Sequence, residues 1–227
     1  MKIAIIPARG GSKRIPRKNI KYFHGKPMIA YSIEAALASE CFDRVIVSTD
    51  DPEIAQVARS YGAEVPFTRP DEFSDDYATT MDVIHHAIGW CNDNGWPIED
   101  ICCLYATAPF VKAESLREGY RILKEHQCEF VFSATTFPFS IQRAIKLSSS
   151  GAVSMVTPEH EQTRSQDLEE TYHDAGQFYW GKKVAFFEKK SIFSPHSRVV
   201  LLPRCHVQDI DTPEDWALAE ALFAVMN

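Results

Sequence analysis

The chain has 227 residues, a formal net charge of -7, 45% hydrophobic and 24% charged residues. That length and ordinary composition predict one large domain with room for a small appendage. The negative charge argues against general nucleic-acid binding, and no apolar run has membrane-spanning length. The apolar start is too short for a signal-peptide core. Cys41, Cys91, Cys102, Cys103, Cys128 and Cys205 form no CxxC pair, so they read as reduced, mostly buried thiols of a cytoplasmic enzyme or binding protein.

In chain order, Lys2–Pro7 is short and continuously apolar, which predicts a buried strand. Pro27–Ser39 has apolar residues at helical spacing and a proline at its start, which predicts a helix. Arg44–Thr49 reads as a strand, and Asp51–Tyr61 as a helix opened by Asp-Pro and closed by Gly62. Glu64–Phe67 reads as a short strand, Thr79–Asn94 as a helix, Asp100–Tyr105 as a strand, Ala113–His126 as a helix and Glu129–Thr135 as a strand. This alternation predicts an α/β fold: a three-layer, Rossmann-like, mostly parallel sheet with helices on both faces. From Phe137 onward the rhythm changes. Short candidate strands (Gln142–Leu147, Val153–Val156, Gln177–Trp180) are separated by Ser-, Gly- and Pro-rich turns, which predicts a β-rich insertion over residues 137–180. The core then comprises 1–136 and 181–227. Lys182–Lys189 is a candidate short helix, Arg198–Leu202 a last core strand and Val207–Asp211 a short one. Thr212 caps a final helix, with Pro213 at its first position and Asp215 in its first turn.

The first loop, ARGGSKRIPRKN at residues 8–19, carries Arg9, Lys13, Arg14, Arg17 and Lys18, whereas the first acid is Glu34. In an open α/β sheet, ligands bind at the carboxyl ends of the strands. Gly10 and Gly11 let backbone amides approach a ligand, and arginine forks and lysine ammoniums match phosphate oxygens. The loop therefore suits a polyphosphate cradle, although it fits neither GxxxxGK[ST] nor GxGxxG. The same residues would also suit a solvated basic loop or an anion site for a partner.

At the other end, Asp209 and Asp211 flank Ile210 on an extended segment. Period two puts both carboxylates on one face, which suits Mg²⁺ held by two carboxylates and substrate phosphates. Alternatively, Asp211 helps cap the next helix while Asp209 is solvated. Asp51 reads better as a helix cap than as a metal ligand. No histidine spacing suits a metal, and no nucleophile motif is present.

Taken together, the A-R-x-G-S-K-x-x-x-x-K-N loop, STD at Ser48–Asp50, RP at Arg69-Pro70 and HVQDIDTPED at His206–Asp215 resemble the CMP-sialic acid synthetase family of acidic-sugar cytidylyltransferases. The resemblance spans essentially the whole chain. LYATAP at Leu104–Pro109 and TYHDAGQFYWG at Thr171–Gly181 depart from the sialic acid pattern. The second of these, with IQRAIKL at Ile141–Leu147, is similar to the pseudaminic acid branch.

The resemblance implies a nucleotide-diphospho-sugar transferase type of fold whose β-rich insertion dimerises. It implies transfer of CMP from CTP to a nine-carbon acidic sugar, pseudaminic acid ahead of sialic or legionaminic acid, with Mg²⁺ or Mn²⁺. The nucleotide residues would be Arg9, Gly10, Gly11, Ser12, Lys13, Lys18, Asn19, Arg69, Thr79 and Thr80. Arg9, Lys18, Asp209 and Asp211 would be catalytic, and the last two would hold the metal. The sugar pocket would use Tyr105, Thr107, Arg143, Gln166, Tyr172, His173, Asp174 and Gln177, with Arg143 or His173 matching the sugar carboxylate and Phe178 and Tyr179 forming an apolar wall. A different reading is a non-catalytic CTP sensor, which would not need both Asp209 and Asp211.

Overall fold

The first apolar run forms β1 (Lys2–Pro7), buried on both faces as a central parallel strand must be. In the computed structural model, which describes residues 1–226, the chain continues through the two-residue strands β2 (Tyr22–Phe23) and β3 (Lys26–Pro27) to α1 (Met28–Ser39), β4 (Arg44–Ser48) and α2 (Pro52–Ser60). Then come α3 (Thr80–Asp93), β5 (Asp100–Leu104), α4 (Ala113–Glu125) and β6 (Phe130–Thr136). After the hairpin β7 (Ile145–Leu147) and β8 (Val153–Met155), the chain returns through β9 (Tyr172–Lys182), α5 (Lys183–Phe187), β10 (Ser197–Leu201) and α6 (Pro213–Met226).

Six strands form one sheet in the order β10-β6-β9-β5-β1-β4. All pairings are parallel except those of β9, which runs antiparallel between β5 and β6. One face is covered by α1, α2 and α4 through Ile29, Ile33, Ile54, Leu116 and Leu123. The other is covered by α3 and α5 through Ile84, Ile88 and Phe186. This is the expected three-layer, mostly parallel α/β architecture. Among the described residues, no helix is long and apolar enough to cross a membrane.

A third apolar cluster lies at the carboxyl edge of the sheet. It joins Ile15 of the first loop, Phe23, Met28, Phe110, Ile210 and Trp216. Ile15 and Ile210 are 2% and 1% exposed, so burial clamps the basic loop and the Asp-Ile-Asp segment to one another. Helix α6 is fixed there by a reciprocal cap: Thr212 Oγ1 accepts from the Asp215 amide (3.2 Å), and the Thr212 amide donates to the Asp215 carboxylate (2.8 Å).

Three expectations are corrected. Glu64–Phe67 is no strand. Only Glu64 bridges to Ile46, since Pro66 has no N–H with which to continue the ladder. Val207–Asp211 forms no strand. Gln177–Trp180, expected inside the 137–180 insertion, belongs to β9, an eleven-residue strand in the middle of the main sheet. Its antiparallel direction explains the misreading: a long excursion between two parallel strands hid a strand that returns between them. What lies apart from the main sheet is the stretch from Phe137 to Thr171, built around the β7–β8 hairpin and three short 3₁₀ turns.

Candidate active site

The first loop leaves β1 at the edge where β4 and β5 also end, and the Ala8 amide donates to the Ser48 carbonyl (2.9 Å). The Gly10 amide donates to Asp50 Oδ1 (3.0 Å). A Cβ on Gly10 would stand 2.7 Å from Asp51 Oδ2, so glycine is needed for packing against Asp51 rather than for an approaching ligand. Asp51 caps α2 as expected, accepting from the Glu53 and Ile54 amides at 2.9 and 3.0 Å. It also takes both nitrogens of Arg17, which holds its carboxyl below the usual range and raises the guanidinium in turn. Asn19 is buried, and its side-chain amide donates to the Arg9 carbonyl (3.0 Å), bracing the loop from beneath.

Above this loop opens a cleft of about 580 Å³. Arg9, Ser12, Lys13, Lys18, Asn19, Arg69, Thr80, Tyr105, Thr107 and Asp211 of the expected set line it, as does Arg14. Gly10, Gly11, Thr79 and Asp209 do not. Every cation of the cleft has an acidic partner on another segment. Arg9 donates to Asp76 Oδ1 (2.9 Å) and to the Asp75 carbonyl (2.8 Å), and Lys13 reaches the same Asp76 carboxylate. Arg14 and Lys18 share Asp211, at 3.0 and 3.2 Å, and Lys18 Nζ also donates to the Ile210 carbonyl (2.6 Å). Arg69 is only 3% exposed. Its Nε donates to Ser74 Oγ (3.1 Å), and Asp50 lies 3.5 Å from its Nη2. Burial lowers its pKa, an effect that Asp50 opposes.

With Ile210 buried, Asp209 and Asp211 are turned outward from the apolar cluster. Asp209 is exposed as a whole, but packed groups desolvate its carboxyl, and that effect first, then the charge of Asp211, push its pKa above the usual carboxylate range. A carboxylate pair in mutual repulsion fits a divalent cation, which would relieve it. Among the described residues no group of three or more His, Cys, Asp or Glu could hold a metal. A two-carboxylate set fits Mg²⁺, which keeps waters and takes substrate phosphates as its other ligands.

A second cavity of about 260 Å³ adjoins the cleft and shares Thr80 and Tyr105 with it. The two hydroxyls lie 3.4 Å apart. Its walls are mainly apolar, from Met81, Ile84, Cys103, Phe186, Ile192 and Phe193. Its polar feature is Asp174, which accepts from the Tyr179 hydroxyl and from the Gly176 amide (2.8 Å). Gly176, at φ 61°, shapes the turn inside β9 that makes this possible. Burial pushes the Tyr105 and Tyr179 hydroxyl pKa values up.

Thr79 lines this second cavity rather than the cleft, and the remaining expected residues are placed elsewhere. Thr79 caps α3 and exchanges hydrogen bonds with Asp82. The Gln177 side-chain amide donates to the His206 carbonyl (2.6 Å). His173 packs its ring on Phe137 with centroids 4.8 Å apart. The Tyr172 hydroxyl donates to Glu170, Arg143 reaches the Thr163 carbonyl (3.4 Å), and Gln166 is exposed. None of Arg143, Gln166, Tyr172 and His173 lines either cavity. Asp76 is a residue that sequence reasoning missed. Its signal was the Asp75-Asp76 pair just ahead of α3, the opposite charge to that of the first loop.

Residues 3–215 match the family model described as Cytidylyltransferase. This chain belongs to the cytidylyltransferase family. It is a nucleotidyltransferase enzyme, and its known relatives refine the picture. It is 49% identical over 223 residues to a pseudaminic acid cytidylyltransferase of Campylobacter jejuni subsp. jejuni serotype O:2, covering 98% of this chain and 96% of the relative. It is 36% identical to a CMP-N,N'-diacetyllegionaminic acid synthase of Legionella pneumophila, covering 97% and 95%. Among solved structures, a CMP:2-keto-3-deoxy-manno-octonic acid synthetase complexed with CTP superposes with a TM-score of 0.73 at 17% identity, covering 100% and 99%. At that identity it supports the fold alone.

Proposed function

We propose that this cytidylyltransferase joins CTP to pseudaminic acid, giving the CMP-sugar and pyrophosphate. The observation that carries the reading is the pairing of two adjoining cavities. One is a cleft rimmed by Arg9, Lys13, Arg14, Lys18 and Arg69 beside a carboxylate pair, and the other is a smaller, mainly apolar pocket. The choice of pseudaminic acid is supported by the 49% identity to the Campylobacter enzyme.

In this reading the anomeric hydroxyl of the sugar attacks the α-phosphorus and gives up its proton to water. The bond to the bridging oxygen breaks, and pyrophosphate leaves with the electron pair. The protein's work is positioning and charge neutralisation. Arg9 and Lys13 exchange Asp76 for phosphate oxygens, and Lys18 holds the end of the triphosphate nearest Asp211. Ser12 donates from the loop, while Asn19 keeps that loop in shape. Asp209 and Asp211 would hold Mg²⁺, which supplies Lewis-acid stabilisation of charge at the phosphate. Arg69 and Thr80 would face the nucleoside. The sugar would extend into the second pocket, with Asp174 accepting an amide N–H of an acylamino group and Met81 and Phe193 covering its deoxy end.

The protein would act in the cytoplasm as a homodimer. Support for a dimer comes from Phe139, Ile145, Leu147 and Val153, which are 60–85% exposed around the β7–β8 hairpin. Sedimentation giving a concentration-independent monomer would refute the dimer. Pyrophosphate release over a panel of nine-carbon sugar acids tests the activity. Pseudaminic acid should be turned over far better than sialic acid, and equal rates would overturn the sugar assignment.

A further inference from the structure

The segment that carries Asp209 and Asp211 belongs to no strand and no α-helix. Between β10 and α6, residues 202–212 contain only the short 3₁₀ turn Arg204–His206. Such a stretch cannot hold two carboxylates in fixed geometry by its own hydrogen bonds, so its ties to the scaffold decide its position. Among the described residues its backbone is tied at both ends and in the middle, and the Asp211 and Thr212 amides also donate to the Asp215 carboxylate of α6 at 3.1 and 2.8 Å. At the start, the Leu202 amide donates to the Ala134 carbonyl and the Leu202 carbonyl accepts from Thr135 Oγ1, both at 2.8 Å. At the end, the Ile210 carbonyl accepts from Lys18 Nζ at 2.6 Å. In the middle, the His206 carbonyl accepts from Gln177 Nε2 at 2.6 Å.

Gln177 is unusual for a long polar side chain in being 3% exposed. Its own backbone is fixed on both sides. Its amide donates to Ser133 Oγ (3.3 Å), and its carbonyl accepts from the Tyr105 amide (2.9 Å). It sits where the β6–β9 register shifts, between the pairs Phe132–Tyr179 and Ala134–Asp174. The irregularity re-aims the strand locally, and here Gln177 reaches across to His206. Tyr105, held by the same residue, forms the partition between the two cavities.

We propose that Gln177 is a positioning residue. By holding the His206 carbonyl it sets the Asp209–Asp211 pair against the cleft, and it thereby couples metal geometry to the Tyr105 partition. This rests on the reading of Asp209 and Asp211 as the metal pair. The role differs from sugar contact, because Gln177 lines neither cavity and its side-chain nitrogen is turned to His206.

The test uses Gln177→Leu, which keeps the volume and deletes the donor, and Gln177→Glu, which keeps the shape and sets a carboxylate against a carbonyl oxygen. Hydrogen exchange on the protein without metal or nucleotide should quicken about tenfold or more over 203–211 in both variants, because a buried carbonyl has lost its partner. Exchange in β1 should be unchanged, which separates local release from general unfolding. Mn²⁺ binding in the presence of CTP, followed by electron paramagnetic resonance, should weaken about tenfold. The kcat should fall about tenfold while the KM for CTP stays within about twofold, as expected when alignment rather than substrate binding is lost. Unchanged exchange would overturn the tie. Quickened exchange with unchanged Mn²⁺ affinity and kcat would reduce Gln177 to a structural residue and overturn the proposal. Failure of the metal reading shows separately: Asp211→Asn would then leave Mn²⁺ binding unaltered, whereas the exchange result needs no metal.

Discussion

The two cavities that meet at Thr80 and Tyr105 are built on opposite principles. In the larger, five cations (Arg9, Lys13, Arg14, Lys18, Arg69) are each paired with one of three aspartates, Asp50, Asp76 and Asp211. Except at Arg69 and Lys18, these groups are substantially exposed, so the pairs are weak and exchangeable. A polyanion can replace the aspartates at small cost. In the smaller cavity, one carboxylate, Asp174, is held by the Tyr179 hydroxyl and a backbone amide among apolar walls. A ligand there must match a fixed, poorly solvated acceptor or leave it badly served. Exchangeable charge suits capture of a triphosphate, and a fixed, half-buried acceptor suits discrimination among sugars.

The comparison breaks first at the carboxylate pair. Replacing both Asp209 and Asp211 with Ala should lower kcat by about a thousandfold or more, since stabilisation of charge at the α-phosphate would be lost. CTP should still bind through the cations. Asp211→Ala with normal turnover and normal Mg²⁺ dependence would remove the pair from the mechanism.

Next come the cations. Arg9→Ala or Lys18→Ala should reduce kcat/KM for CTP about tenfold to a hundredfold, the equivalent of one charge-assisted hydrogen bond of about 1.5–3 kcal/mol. Lys18 should stand at the upper end, because its side chain is 17% exposed against 38% for Arg9. Unchanged CTP kinetics in both variants would return the loop to a solvated basic surface.

The larger cavity was legible in the sequence, and the smaller only in part. The cations of residues 9–18 are clustered in one loop, and Asp209-Ile210-Asp211 suggests its own geometry through period two. Ile210 between them is buried, although the segment forms no strand. The second cavity draws Met81, Cys103, Asp174, Phe186 and Phe193 from α3, β5, β9, α5 and the turn before β10. No periodicity links residues so far apart. They meet because β9 runs back between β5 and β6, and a local reading of the strand pattern gave no sign of that return. Gln177 illustrates the same limit. Its residue type suggested a ligand contact, whereas the register shift in β9 turns it toward His206.

Tyr179→Phe sharpens the contrast. It deletes the hydroxyl that donates to Asp174 and leaves the cavity's shape intact. The KM for the sugar should rise about fivefold to tenfold, in keeping with a lost hydrogen bond to a charged acceptor. The KM for CTP should not move. Equal shifts in both constants would mean that the smaller cavity is not where the sugar goes.

The smallest expected effect concerns Asp76, and its sign is informative. In the unliganded cleft its carboxylate takes both Arg9 and Lys13, so CTP must displace it from both. Lys13 first, and then Arg9, hold its pKa below the usual carboxylate range. Mild acid therefore does not release it, and only substitution removes its charge. Asp76→Asn should lower the KM for CTP about twofold to threefold, the scale of exposed ion pairs, with the same ratio to wild type at about pH 6 and about pH 8. The gain should shrink as salt is added, because screening weakens the exposed pairs that the substitution removes. A rise in KM instead would show that Asp76 orients Arg9 and Lys13 for the phosphates more than it competes with them. The cleft would then share the fixed character of its neighbour.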